Sequence, residues 1–294
     1  MTDSLPAGVR REAGRNGLER LAISSSLGQA EIYLHGAHIT AWQPAGATPV
    51  IWMSRESLFT RDKAIRGGVP ICFPWFGAHA ADTGAPMHGF ARLRDWSLSA
   101  AEERDGEVHL TFALGADEAS RRSAWPHEFS AKFHVTTGRR LAMALDVANT
   151  GATPARFEAA LHSYFAVQDI RNVSVTGLEG TEYLDKVRDF ARSREGETPI
   201  RFTGETDRVY LDTESTVVIH DPGLSRRIVI AKTGSRSTVV WNPWAGRARA
   251  IADFGDDEWP GMLCVETANV RDAAVELQPG SHHTMTAGIT VDRL

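Results

Sequence analysis

EFSAKFHVTT at residues 128–137 and RRLAMALDVANT at residues 139–150 decide the fold class of this chain. In both runs apolar and polar residues tend to alternate, so that Phe133 lies between Lys132 and His134. A period of two is typical of a strand that buries one face. Both runs are therefore predicted to be β-strands.

Runs of this kind recur roughly every ten residues and are separated by Gly, Pro, Asn or Asp. They are QAEIYLHGAHITAW (29–42), EVHLTFAL (107–114), ARFEAALHSYFAV (155–167), STVVIHD (215–221), STVVWNPW (237–244), GMLCVETANV (261–270) and HHTMTAGITVD (282–292). One segment, GADEASRRSAW (115–125), has the composition of a helical turn or two. The pattern predicts an all-β protein, a large antiparallel β-sandwich with few short helical turns.

No repeat or linker divides the sequence, so residues 1–294 are predicted to form one domain, with residues 1–18 peripheral or poorly ordered. The longest strand-poor stretch, residues 54–96, is interrupted by the apolar run VPICFPWF. Loops this long in a compact domain are usually functional.

Composition excludes several classes of function. The net charge of −5 lacks the basic excess that nucleic-acid binding needs. Cys72 and Cys264 have apolar neighbours, which favours buried thiols in a reducing compartment over a disulfide. The sequence has no run with the length of a signal peptide or membrane helix, so we expect a cytoplasmic protein with no membrane partner.

Motifs for nucleotide and acyl-transfer chemistry are missing from the sequence. Two histidine pairs, His35 with His38 and His282 with His283, lie in strand-like segments without nearby carboxylates or cysteines. Such pairs are more often structural than metal-binding. We therefore expect no metal and no cofactor.

Two ionisable residues lie within apolar strands. In LHSYF, period-two alternation places His162 on the face of Ala160 and Tyr164, and in CVETANV Glu266 occupies an otherwise apolar strand. His162 is either a hydrogen-bonded core histidine or a proton donor, and Glu266 is either half of a salt bridge or a carboxylate held in a cleft.

Basic residues flank the long loop. Arg66 precedes two glycines with Lys63 nearby, and HGFARLRDW places His88 and Arg92 close together. The planar guanidinium of arginine binds phosphate or carboxylate oxygens with two hydrogen bonds. The alternative is that these residues are ordinary solvated charges of a loop. Aromatic residues beside turns are either core residues or platforms for a sugar ring; these are Trp75, Phe76, Trp241 and Trp244.

Seven segments in this order resemble the aldose 1-epimerase family, and most closely its glucose-6-phosphate 1-epimerase (hexose-6-phosphate mutarotase) branch. They are LHGAHITAWQP, AIRGGVPICFPWFG, HGFARLRDW, LHSYF, TDRVY, VVWNPW and CVETANV. The resemblance implies a mutarotase-like sandwich that interconverts sugar anomers. It also implies that Glu266 takes the proton of the C1 hydroxyl while His162 protonates the ring oxygen.

The same resemblance implies that His88 and Asp207 bind hydroxyls and that Arg66 and Arg92 lie near a substrate phosphate. Further candidates for substrate binding are Lys63, Trp244 and Arg271. The implied partner is a hexose 6-phosphate, glucose 6-phosphate before others, bound by a monomer or homodimer. Three alternatives remain: a sugar-binding or sensing protein, an epimerase of unphosphorylated hexoses, and a glycoside hydrolase or lyase that uses Glu266 and Asp207.

Overall fold

A computed structural model describes residues 5–294 of the chain. The first strands are β1 (Val9–Ala13), β2 (Glu19–Ser25), β3 (Gly28–Tyr33), β4 (His38–Pro44), β5 (Ile71–Cys72), β6 (Ser97–Arg104), β7 (Glu107–Gly115), β8 (Phe129–Thr137), β9 (Leu141–Asn149), β10 (Ala155–Phe157), β11 (Ala159–Leu161) and β12 (Tyr164–Ala166). The later strands are β13 (Ser174–Thr176), β14 (Glu182–Asp185), β15 (Ala191–Arg194), β16 (Ile200–Arg201), β17 (Thr206–Tyr210), β18 (Val217–Asp221), β19 (Arg226–Thr233), β20 (Ser237–Asn242), β21 (Met262–Asn269), β22 (Val275–Leu277) and β23 (His282–Arg293). Two short helices are α1 (Glu118–Arg121) and α2 (Trp244–Ala248).

Among the described residues, the paired strands are antiparallel and form two large sheets and two small ones. The nine-stranded sheet has the order β16-β13-β18-β19-β23-β9-β8-β7-β6. The eight-stranded sheet has the order β15-β14-β17-β20-β21-β11-β5, with β12 also paired to β21. The small sheets are β1-β2-β3-β4 and β10-β22.

The main core lies between the two large sheets. In the nine-stranded sheet, Phe133 of β8 is paired with Leu145 of β9, and both side chains join a core cluster that also contains Leu161 and Val265 of the eight-stranded sheet. Each large apolar side chain buried in this way contributes about 1.5–3 kcal/mol. The predicted all-β antiparallel sandwich is confirmed.

The second face of the eight-stranded sheet carries the functional groups. Leu263 and Val265 of β21 point into the main core, whereas Cys264 and Ala268 belong to clusters on the opposite face. Because strand side chains alternate, Glu266 shares that opposite face.

The structure divides the predicted strand at residues 29–42 into β3 and β4, divides the one at residues 155–167, and shortens the one at residues 237–244. Residues 155–167 form three short strands, and His162 and Ser163 lie between β11 and β12. The predicted strand at residues 237–244 ends at Asn242, because Pro243 has no N–H for the ladder and the Asn242 side chain accepts the backbone N–H of Trp244 at 2.9 Å. The predicted helical turn is present as α1, but α2 was not predicted.

The expectation for residues 1–18 falls partly on residues 1–4, which lie outside the described residues. From Val9 onwards the chain is paired with residues 19–23 as an edge strand. The single domain stays a prediction.

Candidate active site

Strand register brings His162 and Glu266 together. Leu161 is paired with Thr267 and Tyr164 with Cys264, so the residues between β11 and β12 lie opposite Glu266 on β21. His162 Nε2 is 3.3 Å from Glu266 Oε1. Both residues are buried, with 7% and 1% of their surfaces exposed.

Aromatic packing fixes the imidazole of His162. The ring stacks on Tyr164 with centroids 4.8 Å apart and an interplanar angle of 10°, and the Trp241 ring lies nearly perpendicular to both rings. The His162 backbone N–H donates to the Pro70 carbonyl at 3.1 Å. The predicted shared face of His162 and Tyr164 is present.

Burial sets the charge of the pair. It lowers the pKa of His162 well below 6.5, and Arg92 and Arg66 lower it further. Burial also raises the pKa of Glu266 well above 4.5, an effect that Lys186 partly offsets. A neutral imidazole beside a carboxylic acid is therefore favoured. This state holds as many protons as an imidazolium beside a carboxylate. Transfer of one proton between Glu266 and His162 therefore converts one state into the other.

Arg66 lines the cleft next to the pair. Its guanidinium is 3.0 Å from the Asp253 carboxylate and donates to the Tyr164 hydroxyl at 3.2 Å. Burial disfavours the charged guanidinium of Arg66 and so lowers its pKa, but Tyr164 and Asp253 more than offset this effect, and the pKa of Arg66 is raised. Gly68, two residues later, has φ +69, and a Cβ there would lie 2.3 Å from His38 Nε2, so glycine is needed for this close approach.

Arg92 and His88 extend the same wall. Arg92 lies in the 3₁₀ turn Ala91–Leu93 and donates to the Met87 carbonyl at 2.7 Å. The backbone N–H of Gly77 donates to His88 Nδ1 at 3.2 Å, so the neutral ring carries its proton on Nε2. Burial and Arg92 lower the pKa of His88 well below 6.5, which keeps the ring neutral.

Asp207 lies on the other side of Glu266, two strands away in the sheet. Its neighbour Arg208 is paired with Asp185 of β14, so Lys186 follows opposite Asp207. Lys186 Nζ is 2.7 Å from Asp207 Oδ2 and lies 5.5 Å from the centroid of the Phe76 ring. Burial raises the pKa of Asp207, and Lys186 works against that rise.

These groups enclose one cavity of about 410 Å³. It contains the sequence-predicted residues His162, Glu266, Arg66, His88, Arg92 and Asp207, together with the aromatic candidates Phe76 and Trp241. Polar lining residues that the sequence did not suggest are Tyr164, Lys186, Glu205, Arg247 and Asp253. Tyr164 lay within the LHSYF motif, but the others lie in segments with no recognisable pattern.

Three predicted binding residues are not in the cavity lining. Lys63 is exposed, and its carbonyl bonds the ring of His35 at 2.9 Å. Trp244 packs on Trp259, with ring centroids 4.3 Å apart. Arg271 is exposed, with its guanidinium over the Phe190 ring. Lys63 and Arg271 were predicted from their proximity to the motifs and Trp244 as an aromatic residue beside a turn, and neither criterion placed these side chains in the cleft.

Buried polar atoms without a partner are concentrated in this cavity. Within residues 5–294, four of them belong to residues that line it: His162 Nδ1, Glu266 Oε2, Asp207 Oδ1 and Arg92 Nε. Leaving such a group unsatisfied costs about 1–3 kcal/mol or more, which suits a site whose hydrogen bonds are completed by a polar ligand. No group of three or more His, Cys, Asp or Glu side chains that could hold a metal ion occurs in the described part of the chain.

Comparison with known proteins gives consistent matches over nearly the whole chain. Residues 19–290 match the model of the family described as "Aldose 1-epimerase". The "Putative glucose-6-phosphate 1-epimerase" of Salmonella typhimurium is 39% identical over 264 residues, which is 89% of this chain and 87% of the relative. The protein of the same name from Escherichia coli is 38% identical over 251 residues, covering 85% of this chain and 83% of the relative.

A solved structure matches the architecture closely. The crystal structure of a "putative mutarotase (YeaD)" from Salmonella typhimurium superposes with a TM-score of 0.92 at 35% sequence identity. The match covers 99% of this chain and 96% of the other. The expected mutarotase-like sandwich is therefore confirmed.

Proposed function

Because this chain belongs to the aldose 1-epimerase family, we propose that it interconverts the α and β anomers of a hexose 6-phosphate, glucose 6-phosphate before others. The observation that carries the proposal is the buried contact of 3.3 Å between His162 and Glu266. Around it, the cleft holds Arg66, Arg92 and Arg247 together with unsatisfied polar atoms.

The reaction needs one proton removed and one delivered within the C1–O5 unit. The Glu266 carboxylate accepts the proton of the C1 hydroxyl, the C1–O1 bond becomes a carbonyl, the C1–O5 bond breaks, and O5 takes a proton from the His162 imidazolium. Rotation about C1–C2 presents the other carbonyl face, and the reverse transfers close the ring. Protons and electrons balance with no co-reactant.

The two protonation states of the pair serve the two halves of this cycle. The carboxylate with imidazolium opens the ring and leaves a carboxylic acid with neutral imidazole, which is the state required for closure. Acid and base catalysis each contribute about 10²–10⁴-fold, or about 5–11 kcal/mol for both if the effects multiply.

We assign the phosphate to the side of Arg66 and Arg92. Among the charged groups, these two lower the pKa of His162 most. In a pyranose C6 is bonded to C5, the carbon next to O5, and O5 is the atom that His162 protonates. One charge-assisted hydrogen bond contributes about 1.5–3 kcal/mol, so two favour the phosphorylated sugar by about 10²–10⁴-fold. His88 Nε2 and Asp207 Oδ1 are then the groups offered to ring hydroxyls.

The test is saturation-transfer NMR on the anomeric protons of glucose 6-phosphate and of free glucose. Acceleration of exchange for the phosphate ester is the expected result. Acceleration for free glucose alone would make the protein an epimerase of unphosphorylated hexoses. Binding without turnover would favour a sugar sensor, and release of reducing ends from oligosaccharides would favour a hydrolase.

The remaining expectations belong with this proposal: a small-molecule partner, a cytoplasmic location and a monomer or homodimer. Cys72 and Cys264 are buried free thiols, which supports a reducing compartment. No helix within residues 5–294 has both the length and the apolar character required to cross a bilayer.

A further inference from the structure

Lys186 occupies the cleft without a role in the proposed reaction. It begins the 3₁₀ turn Lys186–Arg188, whose N-cap Asp185 accepts the backbone N–H of Val187 at 3.1 Å. The Lys186 side chain is 22% exposed, whereas that of Arg188 in the same turn is 81% exposed. The turn therefore directs one cation into the cavity and the other outward.

The position of Lys186 differs from that of the two arginines. Its ammonium is bonded to Asp207 and packs over Phe76, on the wall formed by β14 and β17. Lys186 is the strongest charged influence that lowers the pKa of Glu266, whereas Arg92 and Arg66 precede it for His162. Arg92 and Arg66 therefore favour the state in which Glu266 holds the shared proton. Lys186 favours the state in which His162 holds it.

We propose that Lys186 is a positioning residue of this cleft, which holds Asp207 for a sugar hydroxyl and supplies the positive charge that favours the carboxylate form of Glu266. The inference rests on the proposed function. The ionisable groups that act on Glu266 or His162 from the surrounding elements are Lys186, Asp207, Arg92, Arg66, His88, Tyr164, Cys264 and Cys72.

The physical consequence is a shift of the whole pH profile. Removing a nearby positive charge raises the pKa of every group that it had lowered. Both limbs of the rate profile should therefore move to higher pH, by about one unit, whichever residue carries the proton at each step.

The variants are Lys186→Gln, Lys186→Arg and Arg188→Gln. Glutamine can still donate a hydrogen bond to Asp207 but carries no charge, arginine keeps the charge, and Arg188→Gln removes the outward-facing cation of the same turn. We expect the shift in Lys186→Gln, an unshifted profile in Lys186→Arg and no change in Arg188→Gln. An unshifted profile in an active Lys186→Gln enzyme would overturn the inference.

A thermal double-mutant cycle of Lys186→Gln and Glu266→Gln separates this inference from the proposed function, because it needs no turnover. At about pH 9, Glu266→Gln should raise Tm more in the Lys186→Gln background than in the wild type, since the buried carboxylate has lost its cation. Additive Tm changes would overturn the inference. Coupling in a protein that accelerates no anomer exchange would refute the proposed function alone.

Discussion

The imidazole of His162 lies parallel to the phenol ring of Tyr164, whose hydroxyl accepts a hydrogen bond from Arg66 at 3.2 Å. One tyrosine therefore contacts both the proposed acid and the proposed phosphate ligand. Tyr164→Phe keeps the stacked ring and removes the bond to Arg66, so we expect KM for glucose 6-phosphate to rise about tenfold with little change in kcat.

Tyr164→Ala is the matched variant, because it also removes the stacking surface. Its kcat should fall about tenfold or more for phosphorylated and free hexose alike, since the imidazole loses its fixed orientation. Steady-state kinetics on both sugars provide the measurement. Equal kinetics of the Phe and Ala variants would contradict the orienting role of the ring.

The buried carboxyl of Glu266 should cost stability at neutral pH. Its pKa is raised in the folded protein, so below about pH 4.5 both folded and unfolded states are protonated and the cost vanishes. Above that pH the unfolded state loses the proton first, which favours unfolding. Glu266→Gln should therefore raise Tm by a growing amount as pH rises, at about 2–4 °C per kcal/mol.

Calorimetry between about pH 4 and pH 8 measures this difference. Glu276→Gln, at an exposed position of β22, is the control and should leave Tm nearly unchanged at every pH. A wild-type protein that is more stable than Glu266→Gln at neutral pH would show that the carboxylate is well paired, contrary to this account.

The rate of anomer exchange should depend on pH as a bell, because the active pair holds one transferable proton. The acidic limb corresponds to protonation of the neutral imidazole, and burial places the pKa of His162 well below 6.5. The alkaline limb corresponds to loss of the last proton, since the pKa of Glu266 is raised well above 4.5. Initial rates across the pH range test this, and a rate that rises steadily with pH would exclude a paired acid and base.

Arg92 should act on the phosphate of the substrate. Arg92→Ala is expected to raise KM for glucose 6-phosphate about 10- to 100-fold and to leave kinetics on free glucose nearly unchanged, because one charge-assisted bond is lost. Arg94→Ala, which removes the neighbouring arginine paired with Asp117 outside the cleft, is the control. An equal loss on both sugars would refute the role of Arg92.

Strand periodicity predicted the sandwich and placed His162 on the face of Tyr164, because a side-chain period of two is a local property of the sequence. The break between β11 and β12 was not predictable. Pairing with β21 keeps one register across it, and the backbone N–H groups of His162 and Tyr164 bond to the carbonyls of Pro70 and Gly68, a contact that no local pattern shows. Lys186 and Asp253 were missed because they lie in turns far from most of the other cleft residues along the chain. Only the order of the strands in the sheet brings them together. Lys63, Trp244 and Arg271 were suggested by chain proximity or residue type, which does not fix the direction of a side chain.

The central claim is that His162 and Glu266 act together as acid and base on a hexose 6-phosphate. Saturation-transfer NMR of α and β glucose 6-phosphate with the wild type, Glu266→Gln and His162→Asn tests it most directly. We predict exchange well above the buffer rate for the wild type and a loss of about 10²-fold or more in each variant. Exchange at the wild-type rate in Glu266→Gln, or no acceleration by the wild type on any phosphorylated or free hexose, would contradict the claim.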